Sequence, residues 1–137
     1  MKKISSKSKI KKLTPLKNKL WKIISEYIRR KYADEHGMVS CVTCEVRKHW
    51  KEMQAGHFIP QAQGNSVRWL EDNIHPQDYR CNINLGGNGA EYYPFMIETY
   101  GQDRVDELRR LSRQTVKLTA SDYERLIQEY GDKLNEL

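Results

Sequence analysis

The spacing of apolar residues changes along the chain, and each change marks a different kind of element. Leu16, Leu20, Ile23, Ile24, Tyr27, Ile28 and Tyr32 recur every three to four positions, which predicts a helix with one apolar face over about residues 15–35. Thr14-Pro15 supplies its start, with threonine as N-cap and proline in the first turn, and Gly37 supplies its stop. Between residues 38 and 59 the helical period fades. Val39 and Val42, then Gln54-Ala55-Gly56-His57-Phe58-Ile59, read as short strands. Residues 60–66 form a polar loop, and residues 67–70 predict a second short strand leading to Asn73-Ile74-His75-Pro76. After Cys81 a short helix is expected, interrupted by Gly86-Gly87-Asn88-Gly89.

The helical period then returns. Tyr93, Met96, Ile97 and Tyr100 line one face, with Pro94 in the opening turn and Gly101 as the stop. Val105, Leu108 and Leu111 mark a further short helix. Ser121, followed three residues later by Glu124, resembles a capping box that opens a last helix carrying Tyr123, Leu126, Ile127, Tyr130 and Leu134. The predicted class is α+β: a small ββα-metal core stapled by zinc, with an N-terminal helix and a C-terminal helical segment. The expected division is a basic flexible tail over 1–13, one domain over 14–111, and a C-terminal helix over 112–137 that belongs to that domain or forms a dimer contact.

Charge sharpens this picture. The chain of 137 residues carries a net +6, and Lys2, Lys3, Lys7, Lys9, Lys11 and Lys12 account for all of it. Up to Arg80 the remainder is mildly basic, and beyond it mildly acidic. Such polarity suits a tail and a central segment facing a polyanion, with a C-terminal scaffold behind them; a solubilising tail without a partner is the plainer reading. No apolar run approaches membrane-spanning length and the N-terminus lacks the apolar region of a secretory signal, so an intracellular protein is expected. An odd number of cysteines, two of them spaced C-x-x-C, fits metal binding better than a disulfide framework.

The chemistry lies between Cys41 and Asn82. Cys41-Val42-Thr43-Cys44 is a complete knuckle, presenting two thiolates from one tight turn, and Asp78-Tyr79-Arg80-Cys81 is a second with a carboxylate in place of one thiolate. Cys41, Cys44, Asp78 and Cys81 therefore make a candidate structural zinc site. Its rivals are a lost zinc site, one completed by His75 or His49, and three unligated buried thiols. Between the knuckles, His57 at a strand end is the candidate general base for phosphodiester hydrolysis, and the bland alternative is a packed structural histidine. Asn73 would orient the strand pair or that histidine through its amide, unless it is an ordinary turn residue. Arg47, Lys48, Lys51, Arg68 and Arg80 flank the segment and could grip phosphates, with Trp69 or Tyr79 against an exposed base.

These residues, with the runs from His49 to Ile59, Asn65-Ser66-Val67-Arg68, Asn73 to Gln77, Cys81-Asn82 and Asn88-Gly89-Ala90-Glu91-Tyr92, closely resemble the phage NinG proteins, also called Rap, recombination nucleases acting on branched DNA such as Holliday junctions and D-loops. More loosely they resemble the HNH and recombination endonuclease VII type of nuclease. The resemblance implies a catalytic set of His57 as general base, Asn73 as the middle asparagine and Asn82 as the ligand of a catalytic Mg²⁺ or Mn²⁺. It also implies a bacterial host cytoplasm. The chain departs from the pattern in two ways. Asp78 stands where a cysteine is usual, and Gly56 stands where many HNH enzymes carry an acidic metal ligand, leaving Glu52, Glu71, Asp72 and Asp78 as conceivable partners of Asn82. A structure-specific DNA endonuclease, with a homodimer as the arrangement that would place two sites on the opposed strands of a junction, is the expected function. The alternatives are a zinc-stabilised DNA-binding recombination accessory module without catalysis, and a protein-interaction domain whose tail binds RNA or nothing.

Overall fold

The computed structural model describes residues 6–61 and 66–137, with side chains described from Leu13 onward. The chain is a mixed α+β protein with two small antiparallel sheets and four α-helices among the described residues. It divides into two compact units, one made of Met1–Tyr27 with Lys117–Leu137 and the other of Ile28–Val116.

The helix α1 (Ser6–Lys31), which belongs to the first unit up to Tyr27, begins before the expected start at Thr14-Pro15, and Pro15 lies inside it. The lysine-rich run ahead of Pro15 contains good helix formers and nothing that would stop a helix. The expected flexible tail is therefore helical from Ser6, which carries Lys7, Lys9, Lys11 and Lys12 on α1, while Lys2 and Lys3 lie outside the described residues. The last helix, α4 (Ala120–Asn135), is capped by Thr119 and Asp122 rather than by Ser121 and Glu124. The Thr119 hydroxyl accepts from the Asp122 N–H at 3.2 Å, and the Asp122 carboxylate accepts from the Thr119 N–H at 2.8 Å. Both pairs have the required spacing, and Thr119 prevails because its extended backbone (φ −85°, ψ 168°) aims its side chain at the first turn. Tyr123 and Tyr130 are buried, Tyr130 meeting Tyr27 edge to face at 5.8 Å.

The second unit holds the sheets. β1 (Met38–Ser40) pairs with β2 (Arg47–His49), placing the first cysteine knuckle in the connection. β3 (Gln54–His57) pairs with β4 (Ile74–Gln77) in the register Gln54 with Gln77, Ala55 with Pro76, Gly56 with His75 and His57 with Ile74. The expected strand at 67–70 is instead a run of turns. Its burial alternates as a strand's would, with Val67 and Trp69 inside, but the Val67 carbonyl is taken by the Asn73 side chain and by the Leu70 N–H rather than by a ladder. A π-helical turn over Arg80–Asn84 follows β4, and then come α2 (Gly89–Tyr100) and α3 (Gln102–Ser112). Their apolar faces bury Tyr92, Met96, Val105 and Leu108 against Ile59 and Val67. A smaller cluster of Val39, Cys41, Met53 and Cys81 lies under the knuckles. No described helix is long and apolar enough to cross a membrane.

Candidate functional site

The knuckle in the β1–β2 connection and the helical turn after β4 bring three sulfurs together. The Sγ atoms of Cys41, Cys44 and Cys81 all lie within 4.8 Å of one another, close to the roughly 3.8 Å that tetrahedral ligation at about 2.3 Å per sulfur demands. Burial pushes the Cys41 thiol up, but a hydrogen bond from the Thr43 hydroxyl and the N–H groups of Asp78, Thr43 and Cys44 outweigh it and leave the pKa lowered. Cys44, desolvated and crowded by the other two sulfurs, is raised to about 11. Thiolates favour zinc, and N–H and O–H donors aimed at a sulfur stabilise the deprotonated form that ligation requires. The donor set therefore fits a metal such as zinc.

The expected fourth ligand stands apart from that cluster. Asp78 turns its N–H toward the Cys41 sulfur, while its carboxylate accepts from Lys48 Nζ at 2.7 Å. That ammonium holds the Asp78 carboxyl below the usual carboxylate range. Neither histidine substitute joins the sulfurs. His49 Nδ1 accepts from the Lys51 N–H at 3.2 Å. His75 is fully buried, with Nδ1 2.9 Å from the Tyr92 hydroxyl and Nε2 2.6 Å from the Tyr100 hydroxyl. Burial lowers its pKa to about 4, so the ring is neutral. The Tyr92 hydroxyl donates to the Gly56 carbonyl at 2.8 Å, which anchors the hairpin to α2.

His57, half-buried at the end of β3, has Nε2 2.9 Å from the Arg68 carbonyl. A carbonyl can only accept, so Nε2 carries the proton and the lone pair lies on Nδ1, 3.5 Å from Gln61 Nε2. Burial depresses its pKa, more than the Arg68 carbonyl restores it, so the ring is neutral at pH 7. The loop behind it is held by Asn73, whose buried amide accepts from the Ile59 N–H at 2.8 Å and donates to the carbonyls of Ile59 at 3.1 Å and Val67 at 3.0 Å. Asn82 follows Cys81 in the helical turn and donates to Gln54 Oε1 at 2.7 Å. Strand alternation puts Gln54 and Gly56 on one face, so Asn82 borders the face onto which a side chain at position 56 would project. That space is filled: a Cβ on Gly56 would lie 1.8 Å from Gln77 Oε1.

The family model described as Bacteriophage Lambda NinG protein matches residues 1–137. This chain belongs to the NinG family. It is 28% identical over 136 residues to protein ninG of Escherichia phage lambda and to protein ninG of Salmonella phage P22, in each case covering 96% of this chain and 64% of the relative. Against protein ninG of Escherichia phage 933W it is 27% identical over 136 residues, covering 65% of that protein. The chain thus spans somewhat less than two thirds of the length of these phage relatives. No solved structure matches it.

Within this NinG chain, the residues that sequence reasoning missed are the ones that join its parts. Gln77 Nε2 donates to the Thr43 hydroxyl at 3.1 Å and to the Gly87 carbonyl at 2.9 Å, while Thr43 lies 3.2 Å from the Cys41 sulfur. Asn88 Nδ2 donates to the Cys81 sulfur at 3.5 Å. Nothing in the sequence announces these partners, because Gln77 closes β4, a strand buried on both faces that leaves no alternation to read. Of the expected phosphate contacts, Arg80 is exposed, Arg47 is paired with Asp34, Lys48 with Asp78, and the Lys51 ammonium lies over Trp50. The Arg68 guanidinium lies 4.5 Å over Trp69, whose ring is buried and closed to a stacking base, whereas Tyr79 is 53% exposed.

Proposed function

We propose that the chain is a structure-specific DNA endonuclease that hydrolyses phosphodiester bonds in branched recombination intermediates such as Holliday junctions and D-loops, with His57 as general base. The observation that carries this reading is the bracing of His57. Its Nε2 is committed to the Arg68 carbonyl, its ring is neutral, and the Asn73 amide fixes the loop that follows it. A base so held takes a proton from water at Nδ1 without first having to be oriented. Asn82, tethered to Gln54 at the adjoining face, suits the role of ligand to a catalytic Mg²⁺ or Mn²⁺; such an ion would supply neutralisation of charge on the phosphate and the departing oxygen. The three-cysteine cluster would hold a structural zinc, which would fix the turn from which Asn82 projects. Two copies of the chain would address the two strands that a junction resolvase must cut.

The test is incubation of a synthetic four-way junction with purified protein and Mg²⁺ or Mn²⁺, with EDTA as control. Metal-dependent nicking that falls at least about 100-fold in His57→Ala, with junction binding retained, is expected. Normal nicking by His57→Ala would overturn the assignment. Tight binding without any nicking by the unaltered protein would leave the accessory-module reading, which the filled space beside Gly56 favours because no carboxylate can project there.

A further inference from the structure

Immediately after His57 the chain forms the rim of a cleft of about 460 Å³, lined by Phe58, Ile59, Tyr93, Arg109, Ser112 and Arg113 among others. The volume falls within the roughly 300–1,000 Å³ of ligand pockets. Its walls differ in chemistry. One is aromatic: the Phe58 ring lies 5.4 Å from that of Tyr92 and 6.5 Å from that of Tyr93, the latter pair tilted by only 35°. The other is cationic: Arg109 and Arg113 stand one turn apart at the end of α3, the Arg109 guanidinium lying 4.9 Å over Tyr93. Basic residues at a helix C-terminus complement its dipole, which is reason enough for Arg110 nearby. It does not explain why one guanidinium lies over an aromatic wall of a cleft that a second arginine also lines, where no carboxylate among the described residues pairs with either.

We infer that this cleft receives an unpaired nucleotide of the DNA strand, its base against Phe58 and its phosphate on Arg109 and Arg113. Flat, sequence-tolerant stacking joined to guanidinium–phosphate contacts is the chemistry by which single strands are held. The rim is rigid, because the same Asn73 amide that braces the loop behind His57 binds both the N–H and the carbonyl of Ile59. Seating a base there therefore registers the strand relative to His57. A fully paired duplex offers no base to the cleft, so the cleft distinguishes branched DNA, with its frayed or unpaired nucleotides, from linear duplex. This inference rests on the nucleic-acid reading above and extends it to substrate choice.

The experiment measures binding by fluorescence anisotropy in EDTA, using the full chain, a linear duplex and a four-way junction carrying a short unpaired thymidine run at the branch. The unaltered protein should prefer the junction by about 10-fold or more, and Arg109→Ala/Arg113→Ala should reduce that preference to within about twofold while weakening duplex binding by less than about threefold. Phe58→Leu should lower the preference by about fivefold or more. Because Phe58 also packs against the core, its fold is checked by circular dichroism, and if it fails to fold the surface arginine pair decides alone. An equal loss on both DNAs, an unchanged preference, or no binding to either DNA by the unaltered protein overturns the inference. The same proteins assayed for nicking with Mg²⁺ or Mn²⁺ separate the two readings: nicking with a preference indifferent to the arginines sinks the cleft alone, and an arginine-dependent preference without nicking sinks the endonuclease alone.

Discussion

The two hairpins of the second unit are held by different physics. β1–β2 is short and only partly buried, with beneath it only Val39, Cys41, Met53 and Cys81 as buried members of its cluster. β3–β4 is mostly buried and fastened by uncharged polar groups: the Asn73 amide, the Gln77 amide, and the chain of hydroxyl and imidazole groups through Tyr92, His75 and Tyr100. The difference teaches that the cysteine hairpin has little besides a cluster of sulfurs that could bind a metal to hold it, whereas the hairpin carrying His57 is preorganised by its own side chains.

The sharpest way to break that comparison is to remove the ion. Stripping zinc from the loaded protein with a chelator should cost several kcal/mol of stability, because ligation energy is folding energy at such sites. Amide hydrogen exchange should accelerate first over residues 38–49, with 54–57 and 74–77 protected longer; simultaneous loss in both hairpins would show that they are not independently held. Next in size is Asn73→Ala, which orphans the Ile59 N–H and carbonyl and leaves the Val67 carbonyl to the Leu70 N–H alone. A loss of about 3 kcal/mol in urea unfolding is expected, and a loss under about 1 kcal/mol would mean that water replaces the amide.

Acid provides a gentler probe. His75 has a folded pKa of about 4 against an ordinary 6.5, so the unfolded chain binds its proton first as pH falls. Its contribution is complete above about pH 6.5 and is lost progressively toward pH 4, a loss of about 2 kcal/mol between pH 7 and pH 5. His75→Gln should flatten that dependence in denaturant titrations, and an equally steep dependence would place the titrating group elsewhere. The smallest expected effect on stability is that of Asp78→Cys. Supplying a fourth sulfur should slow zinc loss to a chromogenic chelator while hardly moving the midpoint of the loaded protein. Faster loss would mean that the backbone at position 78 cannot turn a side chain to the cluster.

What was legible in the sequence follows the range of the forces involved. The helices of the C-terminal third show plainly because their apolar residues are local and periodic, and the cysteines show because ligation demands a fixed short spacing. Their side chains do assemble into one cluster, in which Cys41, Cys44 and Cys81 could bind a metal such as zinc. β4 was hidden because Ile74-His75-Pro76-Gln77 is buried on both faces and so has no alternation, while residues 66–70 alternate without being a strand. The Asp78–Lys48 pair and the Gln77 bridge join residues 30 and 34 positions apart, and no local pattern announces such partners. The helical cap moved by two residues because two overlapping motifs competed, and backbone direction decided between them.

The contact between Gly56 and Gln77 has a consequence for redesign. Grafting an acidic residue onto β3 in front of His57 cannot succeed as a solitary exchange, since the incoming carbon would collide with an amide already tied to Thr43 and Gly87. The two positions form a lock that opens only when both are rewritten, and trimming the glutamine would also cut its tether toward the sulfur cluster. Any route from this chain to a more acidic face beside His57 therefore passes through a weaker link between its two hairpins.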